Sequence, residues 1–195
     1  MEVDIKADWC THRAAKYACE NWHYSKCHPS TLGKAFRIGF WENEKFIGVI
    51  IFGMGANPQI GSPYGLKNIE ICELTRVALK THITPVSKML KIALAYLKKH
   101  TALKLVVSYA DTGQNHYGGI YQATNWIYEG KSKGVDRIFY NNKEYHAKGF
   151  RASFGNKKIT KEMRIKGTDK HKYLMPLNKE IRKEIIKLSK PYPKK

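Results

Sequence analysis

The side chains best suited to chemistry gather where the apolar run Leu103-Lys-Leu-Val-Val107 leads through Ser108-Tyr-Ala-Asp111 into the polar loop Thr112-Gly-Gln-Asn-His-Tyr-Gly118. Titratable groups at the carboxyl end of a buried strand stand where ligand sites form in α/β sheets, because loops converge there without competing with the core. Asp111 is a candidate base, Ser108 a supporting hydroxyl, His116 a loop imidazole within reach of a substrate, and Tyr121 a phenol able to give or hold a proton. Glu73 and Arg76 interrupt the apolar run Ile69-Glu-Ile-Cys-Glu-Leu-Thr-Arg-Val-Ala78. Charges inside a buried strand need partners or a ligand, and these two suit each other. In Trp22-His23-Tyr24, His23 is the residue most able to change protonation near neutral pH. Each also has an ordinary reading: His23 and Tyr24 closing a helix, Asp111 capping a loop, Tyr121 filling core. Residue order alone establishes no Ser-His-Asp triad.

The elements that must position these groups follow from pattern. A helix capped by Asp8 or Thr11 runs to about Asn21, with Ala14, Ala15, Ala18 and Trp22 on one side. Ala35 to Trp41 and Lys45 to Phe52 read as a hairpin around Glu42-Asn-Glu44. The stretch from Gly53 to Asn68 reads as a long surface loop, and Ile69 to Ala78 as a strand. The clearest helix has Thr84 as cap, Pro85 first, and the stripe Val86, Met89, Leu90, Ala93, Leu94 and Leu97. A short helix from Gly119 to Trp126 and a strand from Ile127 follow. Next comes a hairpin made of Arg137 to Tyr140 and Glu144 to Phe150. Lys170 to Leu177 reads as an edge strand, confined there by Pro176, before a helix from about Asn178 to Ser189.

A chain of 195 residues suits a single domain, here with a basic C-terminal extension from about residue 156 to 195. No run reaches the ~18 apolar residues that a membrane span needs, and the start lacks a signal-peptide core, so a cytoplasmic protein with no membrane partner is expected. The four cysteines form no C-x-x-C pair and read as reduced thiols. The formal net charge of +19 points to a polyanion, most simply nucleic acid.

The element order resembles the GNAT-type acyltransferase fold: an α/β (α+β) architecture with a mixed, mostly antiparallel central sheet flanked by helices. More specifically, Trp22-His23-Tyr24, Glu73-Leu-Thr-Arg76, Ser108-Tyr-Ala-Asp111 and Gly119-Ile-Tyr-Gln-Ala123, in that order, resemble the phage Mom family of DNA-modification proteins. The resemblance covers roughly residues 21–155. It implies a phage-encoded enzyme, in the cytoplasm of the host bacterium, that places a methylcarbamoyl or acetamido-type group on N6 of adenine in duplex DNA and so blocks restriction. It also carries catalytic roles to His23, Tyr24, Arg76, Asp111 and Tyr121.

The exocyclic amine of adenine is a poor nucleophile, so a base must take its proton and a cation must hold the electrophile's developing charge. Asp111 suits the first role and Arg76 the second, with phenolic hydrogen bonds from Tyr24 and Tyr121. In this fold a glycine-rich strand-to-helix loop cradles the diphosphate of coenzyme A. Here the corresponding loop, Leu79-Lys-Thr-His-Ile-Thr-Pro85, has no glycine. The expected donor is therefore an activated acyl or aminoacyl carrier, either acetyl-CoA or an aminoacyl-tRNA. His23, Cys27 and His28 form a weak metal set, joined by His116 or Asp111, whose spacing matches no common zinc pattern; iron would need further ligands. Lys148, Arg151, Lys157, Lys158, Lys161, Arg164 and Lys166, interleaved with Phe150 and Phe154, form the expected phosphate track on double-stranded DNA. An adenine must leave the stack to be modified, and Trp22, Tyr64 and Tyr117 are candidate aromatic receivers. Two alternatives stay open: a tRNA or protein N-acyltransferase of this fold, and a non-catalytic nucleic-acid-binding protein.

Overall fold

The computed structural model describes residues 3–29, 35–55 and 57–194. Strand β1 (Ile5–Trp9) precedes helix α1 (His12–Trp22), whose cap is Thr11: its side chain accepts the Ala14 N–H at 3.2 Å. Asp8 lies in β1, a strand missed in the sequence because few of its side chains are buried. Strands β2 (Ala35–Glu42) and β3 (Lys45–Gly53) form the expected hairpin, with Asn43 and Glu44 at φ 47° and 64°. Two left-handed residues give the turn whose twist matches its strands.

Strand β4 (Ile71–Leu79) leads to α2 (Val86–His100), β5 (Leu105–Asp111), α3 (Gly119–Gln122) and β6 (Ile127–Ser132). An arm then carries β7 (Arg137–Tyr140), β8 (Lys143–His146), α4 (Ala147–Phe154) and β9 (Arg164–Ile165). The chain returns through β10 (Lys170–Pro176) and ends in α5 (Lys179–Ile185). Among the described residues the central sheet has seven strands in the order β1-β2-β3-β4-β5-β10-β6. Its neighbours run antiparallel except β4 and β5.

Alternation along the strands sorts the core. Ile38, Phe40, Ile50 and Phe52 face α2, which buries Met89, Leu90, Ala93, Leu94 and Leu97 against them. Each such side chain contributes about 1.5–3 kcal/mol. On the opposite face α1 covers Val49, Ile51 and Ala78, while Ile181, Ile185, Ile60 and Tyr64 cover Ile71, Leu105, Val107 and Leu174. The long loop after β3 is thus anchored by Ile60 and Tyr64.

Several expectations are corrected. Ser108 to Asp111 remain in β5, because β10 pairs with that strand as far as Lys170 opposite Asp111. Strand β10 lies between β5 and β6 rather than at an edge. It tolerates Pro176 because that residue is its last, beyond the pairing with β6, which stops at Leu174. The expected second strand of the late hairpin ends at His146, and Ala147 to Phe154 coil into α4, bringing Phe150 and Phe154 on one helix side against Tyr140 and Tyr145. Helix α2 starts at Val86 with Pro85 as cap, and α3 ends at Gln122. No helix among the described residues is long and apolar enough to cross a membrane.

The arm, residues 133–169, leaves and rejoins the sheet through a narrow neck. A Cβ on Gly134 would sit 2.3 Å from the Gly167 carbonyl, and one on Gly167 would sit 2.3 Å from the Val135 oxygen. Two backbones pass there at a distance only glycine permits.

Candidate active site

Parallel pairing between β4 and β5 spans only Ile71–Glu73 opposite Leu105–Val107, after which the strands part. Where they separate, Ser108 Oγ lies 3.3 Å from the Leu74 carbonyl oxygen and donates to the Tyr121 hydroxyl at 2.8 Å. The opening beyond holds a cavity of about 370 Å³ bordered by His23, Tyr24, Arg76, Tyr109, His116 and Tyr121. The fold thus gathers four of the five sequence-predicted catalytic residues around one space.

Each group has a defined state. The Nδ1 of His23 accepts the Ser25 N–H at 3.1 Å and contacts Ser25 Oγ at 2.8 Å, which assigns the proton of the neutral ring to Nε2. Burial, with Arg76 and His116 nearby, lowers its pKa to about 4. The expectation of a group titrating near neutrality is corrected: His23 is a neutral donor. Tyr24 lies between two imidazoles, tilted against His23 at 4.2 Å and edge-on to His116 at 5.8 Å by ring centroid. Burial and the negative charge of Asp111 push its phenol up. Burial takes Tyr121 to about 12 despite the Ser108 hydrogen bond, so Tyr121 is a proton donor and not a phenolate.

Among the described residues no ion pair joins Arg76 to Glu73, and the two border different cavities. The guanidinium donates to the Thr75 carbonyl at 2.7 Å and reaches Cys27, with Nη2 3.6 Å from the sulfur. Cys27 also lies 3.6 Å from Ser25 Oγ, and the Ser25 contact and Arg76 together hold its thiol below the ordinary value. The described residues contain no cluster of three metal-ligating side chains. His28 packs on His12 at 4.7 Å, apart from His23, whose Nδ1 is already engaged.

Asp111 stands apart from the other four. Its Oδ1 accepts from Gly113 N at 2.9 Å and from Thr168 Oγ1 at 2.7 Å, tying β5 to the arm's return. Together with Glu73 it borders a second cavity of about 360 Å³, also reached by Tyr109, Arg137 and Lys170. A third cavity, about 890 Å³, lies between the end of β5, residues 115–122 and the tail residues Tyr192 to Lys194, with Tyr109 again in its wall. Tyr109 therefore borders all three spaces. Sequence reasoning did not single it out, since an aromatic residue inside a strand reads as core.

A further missed residue is Glu42. Its carboxylate accepts Ile83 N at 3.1 and 3.0 Å and Thr84 N at 2.6 Å, while only 8 % exposed. These N–H groups belong to the strand-to-helix loop before α2, where the next residue, Pro85, has no N–H. A protein carboxylate already occupies donors that a bound diphosphate would use, so this junction does not fit one. No local signal in the sequence marks Glu42, because its partners lie more than 40 positions away.

Of the basic residues, Arg151 lies on α4, Arg164 on β9, and Lys157, Lys158, Lys161 and Lys166 in the segments around them, all exposed. Lys157 Nζ stands over the Tyr140 ring at 4.1 Å from its centroid. Lys148 lies on α4 by its backbone; its side chain is outside the described residues. Of the aromatic receivers, Trp22 borders the cavity with His23, and Tyr117 borders the largest one. Tyr64 donates to Glu129 at 2.7 Å under α5 and is buried.

A family model described as the Mom protein family matches residues 4–194. Among solved structures, an N-acetyltransferase from Staphylococcus aureus Mu50 is 11 % identical at a TM-score of 0.54, over 91 % of this chain and 99 % of that one. An acetyltransferase of the GNAT family from Streptococcus pneumoniae is 10 % identical at 0.51, over 90 % and 100 %. A GNAT family acetyltransferase from Elizabethkingia anophelis with acetyl-CoA bound is 15 % identical at 0.48, over 88 % and 97 %. No curated protein matches.

Proposed function

The chain belongs to the Mom protein family on a GNAT acetyltransferase fold, and from that premise we propose that it transfers a methylcarbamoyl or acetamido-type group to N6 of adenine in duplex DNA within the host bacterium, shielding the DNA from restriction. The observation that carries this reading is the convergence of His23, Tyr24, Arg76 and Tyr121 on the parting of β4 and β5. The exposed basic arm beside the Asp111 cavity supports a polyanionic substrate.

In this reading the base enters from the Asp111 side and the electrophile lies in the strand opening. Arg76 and the neutral His23 donate to the carbonyl oxygen as charge grows there, and Arg76, always cationic, contributes most. Asp111 receives a proton from the attacking amine through the oxygen that Gly113 and Thr168 leave free. Tyr121 returns a proton to the leaving group, with Ser108 holding the phenol in place. The donor is an activated acyl carrier. Acetyl-CoA is the carrier seen in the Elizabethkingia protein, and aminoacyl-tRNA is the other candidate. The Glu42-filled junction does not fit a diphosphate, and the residue roles above are the same for either carrier.

The test is to express the protein in bacteria, digest plasmid DNA to nucleosides and look by mass spectrometry for a heavier deoxyadenosine. It is expected with the wild type and absent with Asp111→Ala and Arg76→Gln at equal DNA affinity. A modified tRNA or protein in its place would move the acceptor, and no modification at all would leave a binding role. Reversing Lys157 and Lys158 to Glu is expected to weaken DNA binding and to reduce the slope of log K against log salt by at least about 2, near 0.9 for each phosphate no longer neutralised.

A further inference from the structure

Among the described residues, the Glu73 carboxyl has no assigned partner. Among the described residues no side chain or backbone group hydrogen-bonds to that carboxyl, and it takes part in none of the ion pairs. It is part-buried on β4, and it borders the 360 Å³ cavity together with Tyr109, Asp111, Arg137, Thr168 and Lys170. The chain makes room for it: a Cβ on Gly55 would lie 1.7 Å from Glu73 Oε2. A part-buried carboxyl that has no protein partner among the described residues and faces an open space is a group that a ligand with a matching donor can satisfy.

The cavity's chemistry narrows that ligand. Tyr109 offers an aromatic wall, and the cationic groups Arg137 and Lys170 stand on the side toward the arm, Arg137 already 3.6 Å from Glu144. Such a space suits a flat heterocycle on a phosphate chain, and its volume lies at the small end of the about 300–1,000 Å³ range of ligand pockets. The amino-bearing edge of adenine offers an N–H donor beside a ring-nitrogen acceptor. Its complement is a planar head with one acceptor and one donor, which a neutral carboxyl or a carboxamide provides. Burial pushes the Glu73 carboxyl toward its neutral form, and the charges of Lys170 and Arg76 offset this only in part.

We propose that this cavity seats the adenine swung out of the duplex and that Glu73 reads its amino-bearing edge as a paired donor and acceptor. The proposal rests on the DNA-modification reading and adds to it the seat of the acceptor base. It also separates the labour of the two carboxyls: Glu73 holds the base, and Asp111 meets its proton.

The experiment compares binding of two DNA duplexes by fluorescence anisotropy, one with a central adenine opposite thymine and one with that adenine opposite an abasic site. An enzyme that holds the base outside the stack binds the second more tightly, on the order of tenfold, because the unpairing cost is already met. Wild type and Glu73→Gln are expected to show this gain. Glu73→Leu and Gly55→Ala are expected to lose it, and circular dichroism checks each fold. Should Glu73→Leu fail to fold, Gly55→Ala against Glu73→Gln decides. Wild type without the gain, or Glu73→Leu or Gly55→Ala with it, overturns the seat. Failure of the broader reading looks different: wild type then leaves plasmid deoxyadenosine unmodified whatever its preference for the unpaired base.

Discussion

Ser108 donates its hydroxyl hydrogen to the Tyr121 oxygen across 2.8 Å, with both side chains buried at the point where β4 and β5 part. The bond joins the inner end of the site to α3 and fixes where the phenol points. Ser108→Ala leaves the Tyr121 hydroxyl short of its partner and is expected to cost about 1–3 kcal/mol in urea unfolding. Tyr121→Phe removes the same bond from the other side, so the double variant is expected to be less destabilised than the sum of the two. A purely additive pair would show that the bond is not shared in solution.

His23 supplies the pH signature. Its pKa falls from 6.5 to about 4 in the folded protein, so between those values the unfolded chain binds a proton that the native state refuses. Stability is therefore expected to fall as pH drops through this window. His23→Gln is expected to flatten that part of the curve in thermal melts, and a His23 ring signal titrating near 6.5 by NMR would contradict the assignment.

Cys27 differs from its three fellow cysteines. Its thiol is lowered by Ser25 and Arg76, whereas burial raises Cys10, takes Cys19 to about 11 and raises Cys72 further. Iodoacetamide at neutral pH is expected to label Cys27 first by peptide mass mapping, and Ser25→Ala or Arg76→Gln is expected to slow it. Labelling of Cys10 ahead of Cys27 would refute this.

Glu42 anchors the start of α2. Burial raises its carboxyl, but the N–H groups of Thr84 and Ile83 outweigh that and leave it below its ordinary 4.5. Its stabilisation is thus present above that value and lost as pH falls through the lower, folded one. Glu42→Ala is expected to cost about 1.5–3 kcal/mol at neutral pH in chemical denaturation, with a smaller loss once the pH falls below the lowered, folded value.

What can be read from the chain divides by range. The hairpin around Asn43, the apolar stripe of α2 and the start of the last helix near Asn178 are local signals, and each forms as expected. His23, Tyr24, Arg76 and Tyr121 are legible because motif residues carry them, and the sheet brings them together. Partnerships across the fold are not legible. Arg76 turns to Cys27 rather than Glu73, Glu42 reaches Thr84, and β10 inserts between β5 and β6. Each depends on which strands become neighbours, and spacing along the chain carries no information about that. The protonation state of His23 escapes the sequence for the same reason, because its burial is a property of the assembled site.

The touching backbones at Gly134 and Gly167 bring the two ends of the arm to a single spot on the sheet. A segment whose ends meet is a cassette: it can be lengthened, recharged or exchanged without asking any strand beneath it to move. Under the proposed function, reach along a polymer and bond-making would then have separate addresses, joined where Thr168 holds Asp111, so a graft that keeps Thr168 is the one expected to spare the site.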